Sequence, residues 1–373
     1  MKKILFIFGT RPEAIKLAPL YWEFKKYPND FLVKVCVTAQ HRHMLDQVLN
    51  FFGIKPDYDL DLMRENQSLF DITSYSLKGL EKVINEFSPH IVLVQGDTTT
   101  AFTGALAAFY KKIKVAHIEA GLRSGDKYSP YPEEINRILI GHIADYHFAP
   151  TERAKLNLYN EGIKDNVWVV GNTVIDALFL GLKIVEENQD LKNKIESYFN
   201  YFFDASEKVI LVTGHRRESF GEGFENICNA LKEIAELYYD MKIIYPVHLN
   251  PNVREPVQRI LNGLKNVFLI EPLEYPYLIW LMSKCYMILT DSGGIQEEAP
   301  SLGKPVLVMR DVTERIEGIE AETAKLVGTK KENILKEVCT LIENHKEYQK
   351  MAKAVNPYGD GQTSKRIVEI IKT

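Results

Sequence analysis

Short apolar runs alternate with longer stretches of helical pattern along the whole chain, and this alternation restricts the possible folds most. The run Ile4–Phe8 carries no charge and is followed by Gly9 and then by Pro12, a residue suited to the first turn of a helix. Strands without polar alternation are typical of parallel sheets that helices cover on both faces. The pattern therefore predicts an α/β protein built from doubly wound parallel sheets.

The strand pattern occurs in two successive sets, which the sequence joins near Gly171-Asn172. The predicted strands are Ile4–Phe8, Val33–Thr38, Ile91–Gln95, Val115–Ile118, Val167–Val170, Lys208–Thr213, Lys242–Pro246, Val267–Ile270, Met287–Thr290 and Val306–Met309. We expect a first Rossmann-like domain over residues 1–170 and a second over 171–356. Ligands of open parallel sheets bind beyond the carboxyl ends of the strands, so two such domains facing each other would line a cleft.

Composition and the length of the apolar runs argue against several classes of protein. The chain has 46 Lys and Arg against 50 Asp and Glu, a formal net charge of −4, so no bulk charge favours nucleic acid or an anionic membrane. Its four cysteines form no CxxC pair, which argues against a disulfide framework or a zinc ribbon. The N-terminal apolar run is too short for a signal peptide or a membrane span. We expect a soluble, cytoplasmic protein.

The segment around Ser292, Gly293 and Gly294 runs from a predicted strand into a predicted helix. Unpaired backbone N–H groups at a helix start favour a phosphate, and Glu298, one turn later, could accept two ribose hydroxyls. The alternative is a capped turn with solvated acids. No strand is followed by GxGxxG or GxxxxGK[ST], so NAD and ATP lack their usual sequence support.

Cationic side chains follow two other predicted strands. His215 stands beside Arg216 and Arg217 after Lys208–Thr213, and arginine forks with a histidine donor suit a diphosphate. Arg11 and Lys16 form a second cationic pair in the first domain. Turn residues and surface charges are the alternative for both groups.

Three acids lie at one predicted sheet edge. Asp97 and Glu119 each end a strand, and Glu133 follows an aromatic loop. Acids that share a pocket repel one another, which would raise one pKa towards a value useful for proton transfer. Caps and solvated acids are the alternative for any one of them. Together with the cations, these acids indicate acid–base chemistry on a nucleotide-activated substrate. The sequence predicts no metal site, because no histidine spacing matches a strong set of metal ligands.

These motifs together resemble one family from end to end. They are Phe8-Gly9-Thr10-Arg11-Pro12-Glu13-Ala14, Thr38-Ala39-Gln40-His41-Arg42, Gly96-Asp97-Thr98-Thr99-Thr100, Glu119-Ala120-Gly121-Leu122-Arg123, Pro132-Glu133-Glu134, Gly214-His215-Arg216-Arg217-Glu218, Tyr245-Pro246-Val247-His248-Leu249-Asn250-Pro251 and Asp291-Ser292-Gly293-Gly294. The chain resembles the bacterial non-hydrolysing UDP-N-acetylglucosamine 2-epimerases. The resemblance implies a glycosyltransferase-B-like pair of domains, with the C-terminal helix of residues 357–373 packing back on the first.

The resemblance also implies an activity and the residues that serve it. UDP-N-acetylglucosamine would be converted reversibly to UDP-N-acetylmannosamine without cofactor or metal, for surface polysaccharides. Asp97, Glu119 and Glu133 match the proton-transferring positions and His215 a catalytic histidine. The matching substrate-binding positions are Arg11, Lys16, Ser292, Gly293, Gly294 and Glu298. UDP would be a ligand, and a homodimer is expected.

Some family members are activated by their own substrate at a neighbouring site. Gln40, His41 and His248 lie in the segments that match this regulatory region. Asn66 stands where some regulated members carry an arginine and His43 where a glutamine is common, which argues against activation here. Rival interpretations are a hydrolysing 2-epimerase, an epimerase of another UDP-2-acetamido sugar, a retaining glycosyltransferase, and a non-catalytic nucleotide-sugar sensor.

Overall fold

The chain forms two compact units. The structure, a computed structural model, describes residues 1–38, 42–62, 64, 67–204 and 206–373, without the side chains of residues 42 and 43. The first unit comprises Met1–Leu180 and Tyr358–Thr373, and the second comprises Gly181–Pro357.

The first unit is built on a seven-stranded parallel sheet in the order β3-β2-β1-β4-β5-β6-β7. Its strands are β1 (Lys2–Phe8), β2 (Phe31–Val37), β3 (Tyr58–Asp59), β4 (Ile91–Gln95), β5 (Lys114–Ile118), β6 (Tyr146–Ala149) and β7 (Val167–Val169). Phe6 of β1 pairs with Val35 of β2 on one side and with Leu93 of β4 on the other. Chain order reverses at this central strand, which is the arrangement of a doubly wound sheet.

Helices cover both faces of this sheet. They are α1 (Arg11–Lys25), α2 (Arg42–Phe51), α3 (Leu69–Phe87), α4 (Thr99–Tyr110), α5 (Glu133–Ile143), α6 (Glu152–Asn160) and the first part of α7 (Thr173–Glu187). Leu5 and Ile7 of β1 and Val92 and Val94 of β4 are buried in one core cluster with residues of α3 and α4. The apolar strands therefore bury their side chains, as the sequence predicts.

The second unit repeats the design with six parallel strands in the order β10-β9-β8-β11-β12-β13. The strands are β8 (Val209–Thr213), β9 (Lys242–Pro246), β10 (Val267–Ile270), β11 (Met287–Thr290), β12 (Val306–Val308) and β13 (Ala324–Leu326). The helices are α8 (Gln189–Phe199), α9 (Glu222–Leu237), α10 (Pro251–Leu261), α11 (Tyr275–Lys284), α12 (Gly293–Glu298), α13 (Ile316–Glu320), α14 (Lys331–Glu343) and α15 (His345–Ala352). Both units are thus α/β and doubly wound, which confirms the predicted fold class.

The C-terminal segment belongs to the first unit. Its helix, Thr363–Lys372, packs against α1, and Asp176 of α7 accepts the backbone N–H groups of Thr363 and Ser364 at 3.3 and 2.7 Å. These contacts hold the start of α7 in the first unit, so the division falls after Leu180 rather than at residue 170. The C-terminal helix begins at Thr363, six residues later than the predicted segment begins.

Three short strands and one helix depart from the predicted pattern. Strands β3, β6 and β13 have two to four residues each and contain polar or aromatic side chains, so they lack the long apolar run of the others. Helix α8, Gln189–Phe199, lies in a largely polar stretch for which the sequence pattern predicts no element. No helix in the described part of the chain is long and apolar enough to cross a membrane.

Candidate functional site

Glu119 directly follows β5 in a strained backbone conformation. Its φ of +66° lies in the left-handed region, which a non-glycine residue adopts only when its surroundings hold it there. Its buried carboxylate accepts hydrogen bonds from Lys16 at 2.5 Å and from Asn172 at 2.9 Å on Oε1, and from Gln95 on Oε2. Glu119 is therefore a fixed carboxylate whose charge Lys16 balances.

Asp97 follows β4 and is tied to helix α5. Arg137 contacts Asp97 Oδ2 through Nη2 at 2.6 Å and through Nε at 2.8 Å, and Asn136 donates to the Asp97 carbonyl at 2.9 Å. The neighbouring Gly96 lies beside Glu119, since a Cβ atom at Gly96 would be 3.7 Å from Glu119 Oε2. The ends of β4 and β5 and the start of α5 thus share one edge of the sheet.

Glu133 begins helix α5 and is half-buried. Its Oε2 atom is buried and has no hydrogen-bond partner within the described residues. The adjacent Glu134 accepts the backbone N–H groups of Ser124 and Gly125 at 3.0 and 3.1 Å, which fixes the preceding loop. An acid with an unsatisfied oxygen at the start of α5 is suited to exchange protons with a ligand.

Two of the three predicted proton-transfer acids, Asp97 and Glu119, form ion pairs in the structure. Mutual repulsion between carboxylates was the expected influence, but Asp97 pairs with Arg137 and Glu119 with Lys16. Each of these two carboxylates has a cation within hydrogen-bond distance, and Arg137 also contacts Glu134 at 3.0 Å. Lys16, a predicted substrate-binding residue, contacts the carboxylate of Glu119.

A buried glutamate organises the loops that carry Arg11 and Asp97. Glu13 Oε2 accepts the backbone N–H groups of Gly9 and Thr10 at 3.1 and 2.8 Å, while Oε1 accepts the Thr98 hydroxyl at 2.7 Å. Burial raises the pKa of Glu13 to about 7, although these hydrogen bonds lower it. A Cβ atom at Gly9 would lie 2.1 Å from Thr38 Oγ1, so only glycine fits this turn. Arg11, the first residue of α1, is half-buried.

His117 supports the same sheet edge from the core. Its Nε2 donates to the Gly96 carbonyl at 2.7 Å, and burial lowers the pKa of the ring to about 3. A neutral, fully buried imidazole holds the turn before Asp97 in place. Within the described residues, no three His, Cys, Asp or Glu side chains lie close enough together to hold a metal ion.

In the second unit, His215 lies between an acid and a second histidine. The Asp291 carboxylate accepts the backbone N–H groups of His215 and Arg216 at 2.6 and 2.8 Å, and its Oδ1 is 3.3 Å from His215 Nδ1. The His248 ring stacks on the His215 ring with centroids 5.3 Å apart. Burial lowers the pKa of His215, and the Asp291 charge opposes that shift. His248 thus contacts the catalytic candidate directly.

The candidate phosphate-binding amides begin helix α12. The Ser292 N–H group already donates to Thr290 Oγ1 at 2.9 Å, so this amide differs from the expected open donor. Gly293 and Gly294 are the first helical residues, whose N–H groups have no partner within the helix. Glu298 is buried at the end of this helix and accepts the Tyr275 hydroxyl at 3.1 Å.

Two regulatory candidates, Gln40 and His41, lie outside the described residues, as does Asn66. His43 lies in α2, but its side chain is not among those described.

Comparison with known proteins identifies the family. The family model for UDP-N-acetylglucosamine 2-epimerase matches residues 24–372. The chain belongs to the UDP-N-acetylglucosamine 2-epimerase family. The UDP-N-acetylglucosamine 2-epimerase of Escherichia coli (strain K12) is 58% identical over 372 residues, covering 99% of this chain and 98% of its own.

Solved structures of relatives have the same fold. A Neisseria meningitidis UDP-GlcNAc 2-epimerase, crystallised with UDP-GlcNAc, is 54% identical with a TM-score of 0.90 and covers 99% of both chains. A Staphylococcus aureus protein, solved with UDP, is 49% identical with a TM-score of 0.85, covering 100% of this chain and 96% of its own. The glycosyltransferase-B-like fold class expected for the epimerase family is thereby confirmed.

Several residues that complete this epimerase-family site were missed in the sequence. Arg137, Gln95 and Asn172 contact Asp97 or Glu119, and Asp291 contacts His215. Gln95 and Asp291 stand at or just after the ends of strands, which is a signal that could have selected them. Arg137 lies one turn after Glu133 on the same helix. The role of Asn172 depends on a contact that no local pattern indicates.

Proposed function

We propose that the chain interconverts UDP-N-acetylglucosamine and UDP-N-acetylmannosamine at carbon 2 of the sugar, without hydrolysis. The observation that carries this proposal is 54% identity across 99% of the chain to the Neisseria protein, a UDP-GlcNAc 2-epimerase with UDP-GlcNAc bound. The acids and cations described above supply the groups that such a reaction needs.

The chemistry requires elimination rather than simple proton exchange. Carbon 2 carries an acetamido group and no adjacent carbonyl, so its proton is weakly acidic. A base removes this proton, its electron pair forms the carbon 1–carbon 2 double bond, and UDP leaves from carbon 1 with the bonding electrons. UDP then adds back to the 2-acetamidoglucal while an acid protonates the opposite face of carbon 2.

We assign the proton transfers to Asp97, Glu119 and Glu133. Support comes from their common sheet edge, from the fixed position of the Glu119 carboxylate, and from the unsatisfied Oε2 of Glu133. Lys16 acts through Glu119 in this proposal by balancing its charge. A general acid or base contributes typically 10²–10⁴-fold to a rate, so loss of any one should be readily measured.

We assign residues of the second unit to UDP binding: His215 and the Gly293 and Gly294 amides at the start of α12 stabilise the departing diphosphate. Ser292 shapes this turn through its bond to Thr290. Glu298, oriented by the Tyr275 hydroxyl, accepts the ribose hydroxyls. Arg11, at the start of α1 in the first unit, is a further substrate-binding candidate. The product would supply surface polysaccharides, and the working form would be a homodimer.

NMR in heavy water tests the proposed reaction. Purified protein is incubated with UDP-N-acetylglucosamine alone, and UDP-N-acetylmannosamine with deuterium at carbon 2 and an intact sugar–UDP bond is expected. Free N-acetylmannosamine plus UDP would assign the chain to the hydrolysing reaction instead. An unchanged spectrum from folded protein that binds UDP would contradict both for this substrate.

Amide replacements test the three acids. Asp97→Asn, Glu119→Gln and Glu133→Gln are each expected to bind UDP and to lose deuterium exchange at carbon 2, because an amide cannot transfer the proton. A variant that keeps wild-type exchange removes its residue from the assignment. Glu152→Gln, at the exposed start of α6, is the matched control and should retain exchange.

A further inference from the structure

Asp291 is a buried acid that holds the loop of His215. It is 2% exposed, and its Oδ2 accepts two successive backbone N–H groups, those of His215 and Arg216. Buried carboxylates need such donors because an unpaired buried charge is costly. Oδ2 is therefore fully used in fixing the backbone after β8.

The second oxygen of Asp291 faces the His215 ring. Oδ1 is buried and makes no hydrogen bond within the described residues, and it lies 3.3 Å from His215 Nδ1. The His215 side chain is 43% exposed, so the ring also meets solvent or a ligand. An Nδ1–H group on the ring would therefore face a buried carboxylate oxygen that accepts no other hydrogen bond within the described residues.

We propose that Asp291 is the positioning residue that fixes the tautomer of His215. The carboxylate holds the proton on Nδ1, which leaves Nε2 as the ring nitrogen that meets the ligand, and it balances the charge when the ring is protonated. The proposal rests on the proposed function only where it assigns the ligand as the diphosphate of UDP.

The charges around His215 determine how its proton affinity responds to Asp291. The ring faces Asp291 and Glu218, which raise its pKa, and His248 and Arg216, which lower it. The ring of His248 lies against that of His215, at an angle of 20°. Burial lowers the pKa of His215, and the charge of Asp291 is the strongest influence that raises it. Neutralising Asp291 should therefore lower the pKa of His215 further.

Asp291→Asn is the direct test because the amide is isosteric. Its oxygen can still accept the two backbone N–H groups, but its NH₂ then faces Nδ1 and favours the Nε2–H tautomer. We expect ¹⁵N NMR of histidine-labelled protein to show Nδ1–H in the wild type and Nε2–H in the variant. The His215→Gln variant assigns the resonances. Turnover should fall about 100-fold, the size of effect seen when one charge-stabilising group is lost.

Asp176→Asn is the matched control. Asp176 is also buried and accepts two successive backbone N–H groups, but those belong to Thr363 and Ser364 of the first unit. This variant is expected to lower stability and to leave the ¹⁵N shifts and titration of His215 unchanged. A change of tautomer specific to Asp291→Asn separates positioning of His215 from a general structural role.

Two results would overturn the proposal. One is an Nε2–H tautomer in the neutral wild-type ring, a measurement that needs no substrate. The other is a full Asp291→Asn effect on turnover in the His215→Gln background, which would show that Asp291 acts elsewhere. Because the tautomer is measured without substrate, its outcome stays separate from failure of the epimerase reaction.

Discussion

Gly294 offers a test of the amides at the start of α12. A Cβ atom at this position would meet no protein atom closer than Glu298 Oε2 at 3.9 Å. Gly294→Ala should therefore keep the stability of the second unit. If the diphosphate approaches this backbone closely, the added methyl group occupies its space, and calorimetry should show a Kd for UDP raised about tenfold.

Gly223 is the control for this substitution. It is the second residue of α9, as Gly294 is of α12, and the atom nearest to an added Cβ is Thr329 Oγ1 at 3.4 Å. Gly223→Ala should leave both the Kd for UDP and the melting temperature unchanged. Equal UDP affinity in the two alanine variants would contradict a phosphate site at Gly294.

A substitution of Gln95 tests whether its hydrogen bond to the Glu119 carboxylate matters for turnover. Gln95→Met removes a buried donor while keeping its length, so the Glu119 carboxylate keeps Lys16 and Asn172 but loses the Gln95 hydrogen bond on Oε2. We expect a loss of about 1.5–3 kcal/mol in urea unfolding and a lower kcat, because a buried hydrogen bond to a charged group is removed. Wild-type kcat in a destabilised variant would show that the Gln95–Glu119 hydrogen bond serves folding only.

Helices α1 and α3 begin with the same capping box in opposite surroundings. Glu13 and Thr10 form the box of α1 in the interior of the first unit, and burial raises the pKa of Glu13 to about 7. Asp71 caps Ser68 at the surface, and the hydrogen bonds from Ser68 lower its pKa. The two boxes should therefore respond differently to pH.

The native state keeps a proton on Glu13 between pH 4.5 and about 7, where the unfolded chain has lost it. The contribution of Glu13 to the free energy of unfolding therefore falls as pH rises through this window, by about 3 kcal/mol over its full width. Glu13→Gln should remove this dependence, so the variant gains on the wild type towards pH 8. Urea titrations followed by fluorescence at several pH values measure it.

Asp71→Asn is the control, because the lowered pKa of Asp71 places its titration below this window. Its difference in stability from the wild type should stay constant from pH 5 to pH 8. A constant difference for Glu13→Gln as well would show that Glu13 is ionised throughout the window in the folded protein.

At the scale of elements, apolar content decided what could be predicted. The sequence predicts Ile91–Gln95, Lys242–Pro246 and Met287–Thr290 to the residue, because each contains at least three consecutive apolar residues. Tyr146–Ala149 was missed because aromatic and histidine side chains interrupt that signal. Helix α8 was missed because most of its surface is polar and only Ile195 and Phe199 are buried.

The same reasoning explains the limits at the site. Strand-end positions select Asp97 and Glu119, and could also have selected Asp291, because local sequence shows where a strand stops. The partners of these acids come from distant segments: Arg137 is 40 residues from Asp97, and Asn172 is 53 from Glu119. Such pairs depend on packing, which a single sequence does not display.

At the scale of the whole molecule, the first unit depends on the far end of the chain. Ile367, Val368 and Ile371 of the C-terminal helix are buried. A chain ending at Pro357 should lose more than about 4 kcal/mol of first-unit stability, since each such side chain contributes about 1.5–3 kcal/mol. Fluorescence separates the units, because Trp22 and Trp168 lie in the first and Trp280 in the second.

Ile367→Ala offers a milder form of the same test, with Lys365→Ala at an exposed position of the same helix as its control. The first should lower first-unit stability by about 2–5 kcal/mol and the second should not. Equal stability of all these proteins would show that the C-terminal helix is dispensable.

The division of the first unit between the two ends of the chain reverses the usual order of events during synthesis. Residues of the contiguous second unit, Gly181–Pro357, all leave the ribosome before Tyr358–Thr373 does. Domains generally fold in the order in which they emerge, N-terminal first. Here the segment Tyr358–Thr373, which completes the first unit, is translated after the whole second unit, so a chain terminated before Tyr358 would release a complete second unit attached to an unfinished first one.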